Sequence, residues 1–410
     1  MTHRSKLMTL VMAALLGFSV SSAVLAESVK PEPVFLTARG GKLYFGEKEY
    51  RAIGINMPYV SRVFTGQMNG AVKPDCSQHL PADSEEKLKD AAAHGFAFVR
   101  LFAYPNSPEE IAWYWKNKEA YWQRMDEFFA LCRRIHLKVI PSLGMFPHYC
   151  FSPYTGEPVQ AIIDPGSKTH KLMYEFVGEM VSRYKNDPNI LMWEIQNEGL
   201  LHADVSFSKE RKDILTFDEF IKFYREAATF IKKNDPNHLV TGGDCCPRKE
   251  SMSLRMGTPG RIDTLREHLS NDLAAQTDPL DVFSIHTYGP NAPTPKATYH
   301  EKDADGYELF PGNLRAGDYM IAQVRAAHAA NIPVLIGELG QIHPYYNEDG
   351  KAVWTCEMID RLESEGVSLI ALWVWRFPEQ PQFTFDSKSQ PALVQRSAAF
   401  NKKYGALGNR

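Results

Sequence analysis

Apolar and polar positions along the chain alternate on two scales. Short apolar runs, each fit for a strand buried on both faces, recur at Arg51–Asn56, Ala97–Phe102, Lys138–Leu143, Ile190–Ile195, His238–Thr241, Asp281–His286, Pro333–Gly337 and Ser368–Trp375. Longer amphipathic stretches follow them, near Ser84–His94, Pro108–Ile135, Ser167–Lys185, Phe217–Lys233, Arg261–Gln276, Ala316–Ala330, Lys351–Glu365 and Pro391–Lys402. Punctuation agrees with the spacing: Asp83-Ser84 opens the first helix, Gly95 closes it, and Pro108 starts the second. Repeated strand–helix units predict an α/β fold, a closed (β/α)8 TIM barrel rather than an open sheet. The stretch Val34–Tyr50, with Gly40-Gly41 and Gly46 as turns, reads as an N-terminal β-hairpin closing the barrel floor. No linker or low-complexity tract interrupts the pattern, so residues 27–410 read as a single domain.

The first 26 residues stand apart from this pattern. Arg4 and Lys6 precede an apolar run from Leu7 to Val20, and the segment closes on Ser21-Ser22-Ala23-Val24-Leu25-Ala26. A charged start, a short apolar core and a small-residue end describe a secretory signal peptide. The run falls short of the ~20 residues a membrane helix needs. A secreted or periplasmic protein is expected, free of the membrane after processing.

Composition narrows the partners. The formal net charge is −3, from 46 basic and 49 acidic residues. That balance argues against nucleic acid or an anionic membrane, and a monomer is expected. Of the six cysteines, Cys132 and Cys356 sit on helical patterns and read as buried thiols. Cys76, Cys150, Cys245 and Cys246 lie in loops and are the disulfide candidates, their pairing open. No pair of cysteines or cluster of histidines has zinc spacing, so neither a metal nor a cofactor is expected.

In a barrel of this kind function sits at the C-terminal ends of the strands. The fourth apolar run leads through Ile190-Leu-Met-Trp-Glu-Ile-Gln-Asn-Glu-Gly199 into Asn197-Glu198, and the seventh, Ile332-Pro-Val-Leu-Ile-Gly-Glu-Leu-Gly340, carries Glu338. An acidic residue at the tip of an apolar strand is costly to bury and is rarely there for stability. Strands four and seven lie three apart around the ring, so the two carboxylates can face each other across the mouth. Such a pair suits chemistry in which one carboxyl is protonated while its partner is ionised.

Trp193-Glu194-x-x-Asn197-Glu198 and Gly337-Glu338 resemble glycoside hydrolase clan A. Gly54-x-Asn56, Val99-Arg100-Leu101, His286-Thr287-Tyr288 and a Trp ending strand eight extend the likeness over nearly all the chain after residue 26. The pattern is most similar to family 5, the cellulases and β-mannanases. The resemblance implies a retaining hydrolase of β-linked hexopyranosides, with Glu198 as general acid/base and Glu338 as nucleophile. It further implies that Asn197 holds the sugar 2-hydroxyl, Tyr288 bonds to the nucleophile, Arg100 keeps Glu338 ionised and His286 lines the site near the acid/base. The family's usual strand-three histidine is missing from Ile140-Pro-Ser-Leu-Gly-Met-Phe-Pro-His148, where His148 stands as its replacement. Strand alternation points Trp373 and Trp375 the same way. Trp375, nearer the rim, is the expected sugar platform and Trp373 the alternative. Trp113, Trp115 and Trp122 read as packing residues, and Asp244 as a subsite candidate.

Val99-Arg-Leu-Phe-Ala-Tyr104 is closer to the mannanase-like branch, which makes β-1,4-mannan with endo action the expected substrate. A β-glucan, or exo action on short β-glycosides, stays open, as do a non-catalytic carbohydrate-binding barrel and a barrel enzyme of other chemistry. The last would show a Gly-rich phosphate loop after strands seven or eight, or a catalytic Lys on a strand, and neither is evident.

Overall fold

The computed structural model describes residues 33–61, 81–145, 151–200, 215–244, 251–258, 263–276, 278–289, 316–341 and 353–407. A small antiparallel sheet comes first: β1 (Leu36–Arg39), β2 (Lys42–Phe45) and β3 (Lys48–Glu49). Gly40, Gly41 and Gly46 make its turns at φ of +55, +74 and +58°, the left-handed backbone that glycine adopts without penalty. Then come β4 (Ala52–Asn56), β5 (Phe98–Phe102), β6 (Lys138–Ser142), β7 (Met192–Glu194), β8 (Leu239–Thr241), β9 (Phe283–Tyr288), β10 (Val334–Gly340) and β11 (Leu369–Trp373). These form one eight-stranded sheet in the order β8-β7-β6-β5-β4-β11-β10-β9, parallel throughout. The seam between β8 and β9 is spanned by a parallel bridge from Thr241 to Val282. There the Thr241 hydroxyl donates to the Val282 carbonyl at 2.8 Å. With helices after each strand, this is the expected (β/α)8 barrel.

Side-chain parity explains both the core and the site. Ile53, Ile55, Val99, Leu101, Val139, Trp193, Val240, Phe283, Ile285, Ile370 and Leu372 face outward, packed with helix residues such as Leu88, Phe128, Phe176 and Phe223. The opposite parity faces inward. At the floor it is apolar: Ala52, Phe98, Ile140, Met192, Leu239, Val282, Leu335 and Leu369 gather with Leu36, Leu43 and Tyr50 of the β1–β3 sheet. Farther along the same strands the inward series becomes Asn56, Arg100, Ser142, Glu194, Thr241, Ser284 and His286, all buried. Apolar side chains thus seal one end of the barrel while polar ones line the other.

β10 needs a correction of parity to join that polar ring. Val334 and Ile336 face the helices, so unbroken alternation would send Glu338 outward with them. The register slips between Ile336 and Glu338 against β9, and between Ile336 and Leu339 against β11. Gly337 is the extra residue of this β-bulge, and Glu338 turns inward.

Two helix expectations change. The long second helix divides into Pro108–Lys116 and Lys118–Arg134. Asn117 sits between them, its amide side chain bonded back to the Trp113 carbonyl at 2.9 Å, a local bond that competes with the helix. The Arg261–Gln276 helix begins at Leu265, where Thr264 and Glu267 form a capping box. Cys132 is buried and Cys356 half-buried, both free. The other four cysteines lie outside the described residues. Among the described residues no helix is long and apolar enough to cross a membrane.

Candidate active site

Arg100 organises the polar ring from the middle of β5. Its side chain is fully buried, a position that demands compensation for every N–H. Nε donates to Glu194 Oε2 at 2.6 Å and Nη2 to Glu194 Oε1 at 2.7 Å, a bidentate pair. Nη1 donates to Glu338 Oε1 and to Asn56 Oδ1, both at 2.9 Å, and Nη2 reaches Asn197 Oδ1 at 2.6 Å. All five guanidinium hydrogens are used, and β4, β5, β7 and β10 are tied through one side chain. Burial works against the charged guanidinium, but Glu194 and then Glu338 outweigh it and raise its pKa.

Glu338 has donors on both oxygens. Arg100 holds Oε1, and the Tyr288 hydroxyl, at the end of β9, donates to Oε2. Removal from water nevertheless wins: burial pushes the Glu338 carboxyl above its ordinary range, with Glu198 adding to the rise while His286, Arg100 and Tyr288 oppose it. Contact with Arg100 therefore does not by itself hold this group low, because desolvation outweighs it.

Glu198 lies just past β7. Its N–H donates to the Gly243 carbonyl at 2.7 Å, so pairing with the chain after β8 continues beyond the strand. Close approach there requires glycine: a Cβ at Gly243 would come within 1.8 Å of the Gln196 carbonyl oxygen. Glu198 itself has φ +54°, an uncommon conformation for a non-glycine residue, seen where the surrounding structure imposes it. His286 Nδ1 lies 3.0 Å from Glu198 Oε1 and 3.5 Å from Glu338 Oε1. Burial pushes the imidazole down to about 4, so it is neutral at ordinary pH. Its Nε2 rests over Gly337, where a Cβ would come within 2.6 Å. One oxygen of each carboxylate and a ring nitrogen of His286 all lie within 4.8 Å of one another. A cation could span such a group, but the guanidinium and phenol already on Glu338 disfavour one.

The glycosyl hydrolase family 5 model, named cellulase, matches residues 65–378, more than half of the chain. The chain belongs to glycosyl hydrolase family 5. It is similar to a putative mannan endo-1,4-beta-mannosidase 4 of Arabidopsis thaliana, 26% identical over 243 residues, 55% of this chain and 53% of that one. A mannan endo-1,4-beta-mannosidase 1 of Solanum lycopersicum is 24% identical over 246 residues, covering 51% and 56%. The chain spans about half the length of these curated relatives. In fold it resembles the endo-1,4-beta-mannanase of Rhizomucor miehei, with a TM-score of 0.61 at 15% identity, covering 90% of this chain and 99% of that one. The endo-beta-1,4-mannanase of Thermotoga petrophila gives 0.56 at 15% identity, covering 87% and 77%.

In this family 5 barrel Glu198, Glu338, Arg100, Asn197, His286 and Tyr288 come together at one mouth. His148 lies outside the described residues. Trp375 is a correction: it is 1% exposed and packs on Phe96 and Phe385, with its indole N–H on the Lys87 carbonyl at 3.3 Å. β11 ends at Trp373, so the strand's alternation does not carry over to Trp375. Trp373 keeps the inward parity and clusters with Tyr288, Tyr59 and Phe383. A Cβ at Gly340 would come within 2.7 Å of the Tyr288 ring and 3.3 Å of the Trp373 Cβ, so this glycine makes room for both side chains. Asp244 is buried and accepts from Tyr224, which bonds Gln196 at 3.2 Å; it braces the segment that carries Glu198. Trp113, Trp115 and Trp122 pack with the helical core, as expected. Glu194 and Asn56 were quoted only within motifs, yet both hold Arg100. The cost of burying an acid singles out Glu194 as much as Glu198.

Proposed function

We propose that this chain is an endo-acting β-1,4-mannanase working by double displacement, with Glu338 as nucleophile and Glu198 as general acid/base. The observation that carries the reading is the close approach of the two carboxylates, within 4.8 Å, where inverting enzymes keep ~6.5–9.5 Å for an intervening water. A Glu338 oxygen attacks the anomeric carbon as Glu198 passes its proton to the departing glycosidic oxygen. Water then gives a proton to Glu198 and displaces Glu338, so the anomeric configuration is retained. Arg100 and Tyr288 fix the attacking carboxylate, Asn197 presents its amide beside it, and Trp373 offers a ring to the apolar sugar face. The names of the Arabidopsis and tomato relatives support mannan as the substrate. The cellulase name of the family model favours β-1,4-glucan as the second reading. The charged, apolar and small-residue order of residues 1–26 supports export.

Digestion of soluble β-mannan and β-glucan by the purified protein, with products followed by NMR, decides between them. Fast loss of mannan chain length and first-formed β-anomer is the expected result. Release of α-anomer, or turnover of β-glucan alone, would overturn the mechanism or the substrate respectively.

A further inference from the structure

Arg100 stands between two carboxylates, and its contacts with them are unequal. Glu194 takes two guanidinium hydrogens, at 2.6 and 2.7 Å, while Glu338 takes one, at 2.9 Å. Glu194 is fully buried on β7, beneath Asn197 and Glu198, where no substrate reaches it. An ion pair buried so deeply is a poor source of stability, because desolvation offsets its attraction. Its placement calls for another reason.

We propose that Glu194 is a positioning residue of the displacement, which orients Arg100 and absorbs most of its charge so that Glu338 remains a basic, reactive nucleophile. The proposal rests on the reading of Glu338 as nucleophile. A guanidinium with Glu338 as its sole counter-ion in a dry site would stabilise the carboxylate strongly and blunt its attack. The shared guanidinium orients Glu338 without that penalty.

The covalent stage gives a second reason. When Glu338 becomes an ester it loses its charge, and Arg100 would be left as a buried, unmatched cation. Glu194 keeps it paired throughout, so the Arg100–Glu194–Glu338 group passes from one net negative charge to none. Among the described residues, the other groups facing Glu338 cannot replace it. His286 and Tyr288 on β9 are neutral donors, Glu198 beyond β7 is an acid, Asn56 on β4 is uncharged, and β11 (Leu369–Trp373) has no titratable side chain.

The test is the rate at which 2-deoxy-2-fluoro-β-mannosyl fluoride, or its gluco analogue, labels Glu338 in the full chain, measured against pH. Glu194→Gln keeps the shape and removes the charge. The acid limb of labelling should move down by about one pH unit, as expected when a nearby cation is freed to act on the carboxylate. The rate at neutral pH should fall about tenfold. Peptide mapping locates the label, and a melting curve shows that the variant is folded. An acid limb unmoved from the parent, with only a lower melting temperature, would make Glu194 a purely structural counter-ion. Should Glu194→Gln not fold, Glu194→Asp, which draws the charge back by one methylene, should shift the limb the same way by less, and no shift there overturns the proposal equally. A parent protein that labels elsewhere than Glu338 would instead remove the nucleophile reading.

Discussion

Glu338 and Glu198 are the same side chain in two settings. Glu338 is 3% exposed at its side chain, sits inside a strand, and has donors from Arg100 and Tyr288 on separate oxygens. Glu198 is 26% exposed, stands past a strand end in a left-handed conformation, and meets a neutral imidazole. The contrast fits the two roles proposed for them. A nucleophile must be aimed, and fixed donors aim it. An acid/base must exchange protons with water on each cycle, which a sealed carboxyl does slowly. On that proposal environment, rather than residue type, divides the labour.

Exchanging each residue for alanine is the strongest way to break that comparison. Glu338→Ala should lower kcat/KM by roughly 10^4-fold or more on every substrate, the scale of losing a covalent nucleophile. Azide should restore turnover and yield the inverted glycosyl azide. Glu198→Ala should cost about 10^2–10^4-fold on mannan, yet little in the first step on an aryl glycoside whose leaving group needs no proton. Azide should then restore turnover with retention. Exchanged rescue patterns would exchange the two roles.

A smaller effect separates the two tryptophans at the end of β11. Trp373→Ala should lower kcat/KM of the folded fraction about 10- to 100-fold through lost orientation of the sugar, on top of the stability lost with a ring that packs in its own cluster. Trp375→Ala should cost ~3–5 kcal/mol of stability while the folded fraction keeps its activity. Activity of the folded fraction lost only in Trp375→Ala would return the platform to Trp375.

These two residues mark where the sequence was legible and where it was not. The eight apolar runs are buried on both faces, so their hydrophobicity announces them, and the acids on two of their tips are costly enough to stand out. Parity is harder. The Gly337 bulge reverses it inside β10, and the end of β11 cancels it before Trp375, because both depend on how neighbouring strands pair rather than on local pattern. Asn117 hid for a different reason. Its side chain breaks a helix whose apolar spacing continues through it. Glu194 was in plain view within the motif, but its role depends on Arg100, which is 94 positions away in the chain.

The mildest test sharpens the comparison through pH. Burial raises the Glu338 carboxyl, and it must be ionised to attack, so kcat/KM should fall as pH drops through that raised value. The midpoint of the acid limb should therefore lie above the ordinary glutamate value of ~4.3. The Tyr288 hydroxyl opposes the rise by donating to the ionised form, so Tyr288→Phe should move the limb further up and reduce the rate at its foot. Stability should run the other way. A carboxyl raised by folding contributes stability that is intact below the ordinary value and lost as pH climbs through the raised one. Over that window the enzyme should gain activity while this group makes the fold less stable, and a Glu338→Ala variant should show a flatter dependence of melting temperature on pH. A limb near 4 that Tyr288→Phe leaves in place would assign it to His286, whose imidazole is pushed down to about 4, and Glu338 would lose its claim to the acid side of the profile.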